Sequence, residues 1–359
     1  MLAFAHKHAW ILKIHACFRH IPCMDFSLSM LDLSTIFLSP LVFGEFVYIC
    51  GTMNGKILKA HLSLLAAAVM WGLMAPANKV IMQAGMPPFV MVNIRMIGAA
   101  ILFWITSLFF KPEKISRHDL MLAFFAGMLC LVCNQGCFTF GLSLTSPVDA
   151  SIRTTIMPIF TLILAGVILH EPITTLKVFG VGLGTVGAII LIMSNAGGAS
   201  VGNGSVLGDI ICLIAQVCMA AYLTFFKGVI SRYHVVTLMK WMYTFSAIIF
   251  LPISFRDFSG TDFSSFSTTV WLQVGYVVLF GTYIAYMLMM VGQKSLRPTV
   301  VSMYNYIQPI VGSSVSVIVG IALFGWVKGL ATVLIFAGVY IVTQSKSRAE
   351  MKDTSTIEK

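Results

Sequence analysis

Apolar residues in this chain come in long runs separated by short segments of turn-forming and charged residues. From residue 57 onward ten such runs stand out: 58–83, 88–110, 119–142, 147–169, 176–194, 207–227, 236–254, 270–291, 298–320 and 326–344. A helix needs about 20 apolar residues to cross a hydrocarbon core, whereas strands of a membrane barrel alternate over about ten. Runs this long and continuous predict helices. The separators carry turn chemistry, as in Gly85-Met86-Pro87-Pro88, Lys111-Pro112-Glu113, Ser146-Pro147, Gly197-Gly198 through Gly204, Phe255 to Thr269, and Arg297-Pro298. The pattern predicts an all-α integral membrane protein with ten transmembrane helices.

Composition agrees. The chain has 359 residues, 58% hydrophobic and only 10% charged, where soluble domains carry about 25% charged residues. That excludes a soluble enzyme, a secreted disulfide scaffold and a disordered protein. The net charge of +10 invites a nucleic-acid reading, but the positions of the charges argue otherwise. Alternate loops hold Lys56, Lys59, Lys111, Lys114, Arg117, Lys177, Lys227, Arg232, Lys294, Arg297, Lys346, Arg348, Lys352 and Lys359 on one side, against Arg256 on the other. Positive loops face the cytoplasm, so both ends of the ten-helix body are expected inside, with the lipid bilayer and no nucleic acid as partner. Cys130, Cys133, Cys137, Cys212 and Cys218 lie inside apolar runs and read as small packing residues.

Residues 1–52 do not fit this pattern. Their apolar run, Ile36 to Cys50, is broken by Pro40 and Glu45, and Met53 offers a second start. Two readings stand: a leader upstream of the true start, or a genuine extension.

The two halves repeat. At an offset of 151, Gly141 matches Gly292, Pro147 Pro298, Ser151 Ser302, Ile156 Ile307, Pro158 Pro309, Lys177 Lys328 and Gly187 Gly338. The first and sixth spans match more loosely, Asn78-Lys79 against Phe226-Lys227, an offset of 148. Five helices per half is odd, so the second half enters the membrane from the opposite side. Two inverted five-helix repeats of this kind are found in transporters, where they open one central site to alternate sides. The plan is therefore an extension (1–52), a first repeat (57–195), an external linker (196–206), a second repeat (207–344) and a cytoplasmic tail (345–359).

Polar groups inside spans are costly and hence candidates for function. Pro158 and Pro309 are expected to kink the fourth and ninth spans where the halves meet. Around them lie Arg153, Thr154 and Met157 in one half and Tyr304, Asn305 and Gln308 in the other. A pocket built from both would offer a fixed cation, an aromatic face and amides, which suits a small zwitterion or carboxylate. Arg153 also has Asp149 one turn away as a possible ion-pair partner. Arg95 is a second buried cation or a structural pin. Asn134, Gln135, Gln216, Tyr222, Tyr283 and Tyr286 lie inside spans and either line a polar path or bond between helices.

Several lookalikes fail. Gly180-x-Gly182-x-Gly184-x-x-Gly187 has no preceding strand to make a dinucleotide loop, and reads as a close helix-packing face. Cys130, Cys133 and Cys137 lack a histidine or carboxylate to complete a metal site. No cofactor is expected. Every acidic residue of the bundle sits at a span end or in a loop, so the coupling ion stays open.

The ten-span body resembles the EamA family of the drug/metabolite transporter superfamily. The resemblance rests on Met70-Trp71-Gly72, Pro88 through Arg95, Thr145 to Pro158 with Glu171-Pro172, Gly180 to Gly187, Gly208-Asp209, Pro298 to Pro309 and Gly338-Val339-Tyr340. It implies transport of a small metabolite across the bacterial inner membrane, often export of amino acids or related compounds, through a cavity between the repeats. The protein would act as a monomer or homodimer. One departure is that Glu171 has no acidic counterpart after the ninth span, where Ala322 stands. Multidrug or cationic-compound efflux is the alternative, followed by an intramembrane enzyme or a membrane scaffold.

Overall fold

The computed structural model describes residues 55–144, 153–195, 205–318 and 326–345. Residues 1–52, most of the linker and of the tail, Pro147, Asp149 and Ala322 lie outside the described residues. Regular structure among the described residues is helical. The first repeat supplies α1 (Gly55–Gln83), α2 (Pro88–Ser107), α3 (Arg117–Leu144), α4 (Met157–Ile168) and α5 (Thr175–Asn195). The second supplies α6 (Val206–Phe225), α7 (Val235–Gly260), α8 (Thr268–Ser295), α9 and α10 (Trp326–Gln344). Helix α9 comes in three parts: Pro298–Met303, a 3-10 turn Tyr304–Tyr306, and Ile307–Ile318. Seven of these helices are long and apolar enough to cross a membrane.

Local chemistry sets the boundaries. Pro88 and Pro298 occupy first-turn positions of α2 and α9, where a missing N–H costs nothing. Gly85 turns the chain between α1 and α2 at φ +90°, a conformation that a side chain would strain. Helix α4 stops at a left-handed residue without glycine: His170 has φ +51°, and the N–H of Glu171 bonds back to Ala165 O at 3.1 Å.

Pro158 and Pro309 act differently from a mid-span kink. Each falls in the first turn of a helical segment that follows a break. Thr155 and Ile156 form a turn before Met157, and Tyr304–Tyr306 narrows to a 3-10 turn before Ile307. The proline ring clashes with the carbonyl four residues back, so the helix yields upstream and restarts with proline near its beginning.

The repeat is visible in helix geometry. Both α3 and α8 contain one π-helical turn, Met128–Cys133 and Leu279–Ile284, and adding 151 to the first gives the second. Contacts repeat as well. A Cβ on Gly141 of α3 would meet Cys212 and the Gly208 carbonyl of α6, and one on Gly292 of α8 would meet Leu64 of α1. Position 64 plus 148 is 212. Helices α5 and α10 cross backbone against backbone, with Gly338 facing Gly180 and Gly184, and Gly187 facing Ala331. The Gly180 to Gly187 stripe is a packing face.

The loops assigned by charge to one side meet at one end of the bundle. Arg232 and Tyr233 bind Asp119 (both 2.7 Å), Lys294 Nζ donates to Tyr233 O (2.7 Å), Lys227 Nζ to Leu296 O (2.8 Å) and Arg297 to Ser345 O (2.7 Å). Glu171 joins them, accepting from Lys177 Nζ (2.9 Å) and Thr299 Oγ1 (3.2 Å). Lys177 is fully buried, so this loop cation is half of an ion pair. At the other end Ser205 N donates to Leu144 O (3.1 Å).

Candidate functional site

One polar cluster inside the bundle is built by α1, α2, α3, α7 and α8. Arg95 of α2, only 5% exposed, donates its Nε–H to Thr282 Oγ1 at 2.9 Å. Thr282 lies in the π turn of α8 and donates its own hydroxyl to Val277 O (2.8 Å), so its lone pairs face the guanidinium. Tyr286 and Tyr243 stand within electrostatic reach of Arg95. The Nη groups of Arg95 have no hydrogen-bond partner among the described residues.

Aromatic rings pack on Tyr286 and Tyr243 beside this cation. Trp71 of α1 meets Tyr286 edge-on at 5.3 Å and donates Nε1–H to Gly281 O at 3.0 Å. That bond takes up a carbonyl in the π turn, where the helix ladder is loosened. Tyr243 meets Tyr286 at 6.0 Å and stacks on Phe103 at 5.4 Å, and Phe103 packs on Tyr283 at 4.6 Å. Gln135 Nε2 donates to Tyr286 Oη at 2.9 Å. Gln135 Oε1 and the Tyr243 hydroxyl are buried without a hydrogen-bond partner among the described residues. Unpaired polar atoms in an apolar interior are destabilising by about 1–3 kcal/mol each.

A second cluster joins the breaks of α4 and α9. Asn305 Nδ2 points to Met157 Sδ, Gln308 Nε2 donates to Asn305 Oδ1 (3.1 Å), and Tyr306 Oη donates to Thr155 O (3.2 Å). Tyr306 also bonds Thr185 Oγ1 of α5 at 2.6 Å. Pro158 is buried at the start of α4 and Pro309 half-buried in α9, with Thr154 half-buried beside Arg153. Helix α1 links the two clusters, since Gly72, next to Trp71, packs on the Gln308 carbonyl and Val311.

The structure does not bring Arg153 and Tyr304 into one pocket. Arg153 Nη2 binds Asp209 Oδ2 of α6 at 2.6 Å, with side chains 23% and 16% exposed. Tyr304 Oη bonds His61 Nδ1 of α1 at 2.6 Å. Asp209 is in the first turn of α6, whereas Lys227, just beyond its last residue, bonds the backbone that precedes α9. At about 1.5 Å per residue these two ends of α6 are roughly 27 Å apart, and Tyr304 follows Leu296 by eight residues, roughly 12 Å in from the second end. Asp149, the partner expected for Arg153, is outside the described residues.

The remaining candidates make bonds between helices. Asn134 Nδ2 donates to Ala215 O (2.8 Å), Tyr222 Oη to Gln293 Oε1 (3.0 Å), and Tyr283 shares a hydrogen bond with Thr106 Oγ1 (2.5 Å). Of the residues singled out in the sequence, the central cluster holds Arg95, Gln135, Tyr286 and, at its edge, Tyr283. Sequence reasoning missed Trp71, Tyr243 and Thr282 as members of the cluster. The offset of 148 was a signal for Tyr243: it matches Met91, Ala99, Ile101 and Ile105 of the second span to Met239, Ala247, Ile249 and Ile253 of the seventh, and it pairs Arg95 with Tyr243.

Comparison with known proteins places this architecture. Residues 58–193 and 206–344 each match the EamA-like transporter family. The chain is 20% identical to the uncharacterized transporter YetK of Bacillus subtilis over 304 residues, covering 84% of this chain and 91% of that one. An uncharacterized transporter of Archaeoglobus fulgidus is 25% identical over 80% of this chain and all of its own length. The uncharacterized inner membrane transporter YedA of Escherichia coli is 25% identical, covering 79% and 90%. A solved crystal structure superposes with a TM-score of 0.67 at 18% identity, over 79% of this chain and 96% of its own, a likeness of fold.

Proposed function

Because the chain belongs to the EamA-like transporter family and is thereby a multi-pass membrane transporter, we propose that it moves a small carboxylate or zwitterionic metabolite, such as an amino acid, out of the cell. In this reading ten spans form two inverted repeats, both ends of the body lie in the cytoplasm, and the site opens alternately to each side of a bacterial inner membrane. The junctions rich in lysine and arginine gather at one end of the bundle, which supports that orientation.

The observation that carries the substrate class is Arg95. A guanidinium always keeps its charge, and here it is buried, with its Nε–H bonded to a neutral hydroxyl and its Nη groups without a hydrogen-bond partner among the described residues. A carboxylate fits that fork with two parallel bonds. The Gln135 Oε1 and Tyr243 hydroxyl supply acceptors for an ammonium, and the rings of Trp71, Tyr243 and Tyr286 an apolar wall for the substrate body.

The test is efflux from proteoliposomes loaded with labelled amino acids, simple carboxylates, or amines without a carboxylate. Carboxylate-bearing compounds should leave faster than from protein-free vesicles, and Arg95→Gln should slow them by roughly 10- to 100-fold, the worth of a charged hydrogen bond of about 1.5–3 kcal/mol. Export of the amines alone would favour multidrug or cationic efflux instead.

A further inference from the structure

The ties between α4 and α6 and between α9 and α1 are copies in place but not in chemistry. Tyr304 is Arg153 plus 151, and Asp209 is His61 plus 148, the intervals that relate the ninth span to the fourth and the sixth to the first. Arg153–Asp209 is an ion pair of 2.6 Å, and Tyr304–His61 a neutral-range hydrogen bond of 2.6 Å. The same intervals relate a deeper pair of contacts. Trp71 donates to Gly281 O, and at the matching positions Cys130 meets Met219 (3.9 Å). From His61 to Trp71, and from Asp209 to Met219, is ten residues, about 15 Å of helix. The two outlying pairs therefore flank the Arg95 cluster at equal depth, one toward each end of the bundle.

Each pair also borders a break. Arg153 precedes the Thr155–Ile156 turn, and Tyr304 opens the 3-10 turn of α9. At both borders the helical ladder tightens to i→i+3 bonds, as from Ile156 N–H to Arg153 O at 3.2 Å and in the 3-10 turn of α9, and a mid-helix 3-10 stretch is a common hinge.

We propose that Arg153–Asp209 and Tyr304–His61 are the outer and inner gates of the transport path, closing α4 on α6 and α9 on α1 respectively. This rests on the inverted-repeat reading above and not on the identity of the substrate. The outer gate is closed by an ion pair and the inner by a hydrogen bond. Arg153 then controls access and Arg95 holds the substrate.

The test is sided labelling of the full chain in oriented vesicles. The eight native cysteines are replaced by serine or alanine, and a reporter Gln135→Cys is read with a membrane-impermeant maleimide. Asp209→Asn should raise labelling from the outer side roughly tenfold and leave the inner rate unchanged. Tyr304→Phe should do the reverse with a smaller rise. The exchange Arg153→Asp with Asp209→Arg should restore protection. The conservative Arg153→Lys, which keeps the charge and the fold, should give an outer rate between those of the parent and Asp209→Asn. The proposal is overturned if the outer rate does not change in Asp209→Asn or Arg153→Lys, if both sides rise together, or if the charge exchange stays as open as the single variants. Labelling needs no substrate, so a failed carboxylate assay leaves this result untouched, and a failed labelling result leaves the Arg95 assignment standing.

Discussion

Gln135 and Tyr286 are 151 residues apart and hydrogen-bonded to each other at 2.9 Å. The interval is the one that carries α3 onto α8, so each is touching its own counterpart. Two copies of one position meet only at the axis that relates them. Thr155 and Tyr306, also 151 apart, meet the same way at 3.2 Å. The axis of the repeat therefore runs through the Arg95 cluster and the breaks of α4 and α9, where a site shared by both halves belongs.

Exchange across that axis is a direct check. Gln135→Leu and Tyr286→Phe should each lower stability by about 0.5–1.5 kcal/mol, the usual net worth of such a bond. The double exchange Gln135→Tyr with Tyr286→Gln keeps the pair and should recover at least half of that loss. Thermal melts of the three variants in detergent give the comparison, and strict additivity would deny the coupling.

The glycine crossing of α5 and α10 predicts a sharp contrast between neighbours. A Cβ at Gly338 would lie 2.6 Å from Gly180 O and 2.7 Å from Gly184 N, both backbone atoms, whereas one at Gly182 meets nothing within 4 Å. Gly338→Ala should destabilise by about 1–3 kcal/mol and reduce the yield of monodisperse protein. Gly182→Ala should match the parent on the same size-exclusion column.

Lys177 is fully buried and held by Glu171 at 2.9 Å. Glu171→Gln leaves that ammonium without a counter-charge and should cost about 3–5 kcal/mol. Glu171→Gln combined with Lys177→Met removes both charges and should regain most of the loss in a thermal melt. A double variant as unstable as the single one would show that the pair is not what holds this junction.

Each π turn sets the facing of the helical segment on its C-terminal side. Deleting Val132 removes the extra residue of the Met128–Cys133 turn and rotates Asn134–Leu144 by about 100°, one residue of α-helix. Asn134 then loses Ala215 O and Gln135 loses Tyr286. Transport should fall to the protein-free level in liposomes, and deletion of Phe280 in the matching turn of α8 should do the same.

Much of the fold was legible because its signals are long. Twenty apolar residues ending in Gly85 or Arg297-Pro298 hardly admit another reading, and the expected run 326–344 is helix α10 residue for residue. The repeat was legible because prolines and glycines are constrained by backbone geometry and keep their places. Side-chain pairing was not. Asp209 of α6 meets Arg153 from 56 residues away, a contact that no local spacing announces. The π turns are unreadable as well, since Met128–Cys133 and Leu279–Ile284 share a position but scarcely a residue type. Arg95 is legible as a buried charge; the tyrosines beside it depend on how α7 and α8 pack.

The crossing of α5 and α10 has a mechanical meaning. Where Gly338 faces Gly180 and Gly184, backbone meets backbone, and only the branched side chains of Ile341 and Val342 seat on Gly180 beside that contact. The closest approach is bare backbone, as in a bearing. If the halves rock against each other, this seam is the axle, and the motion is largest on the far side of the bundle.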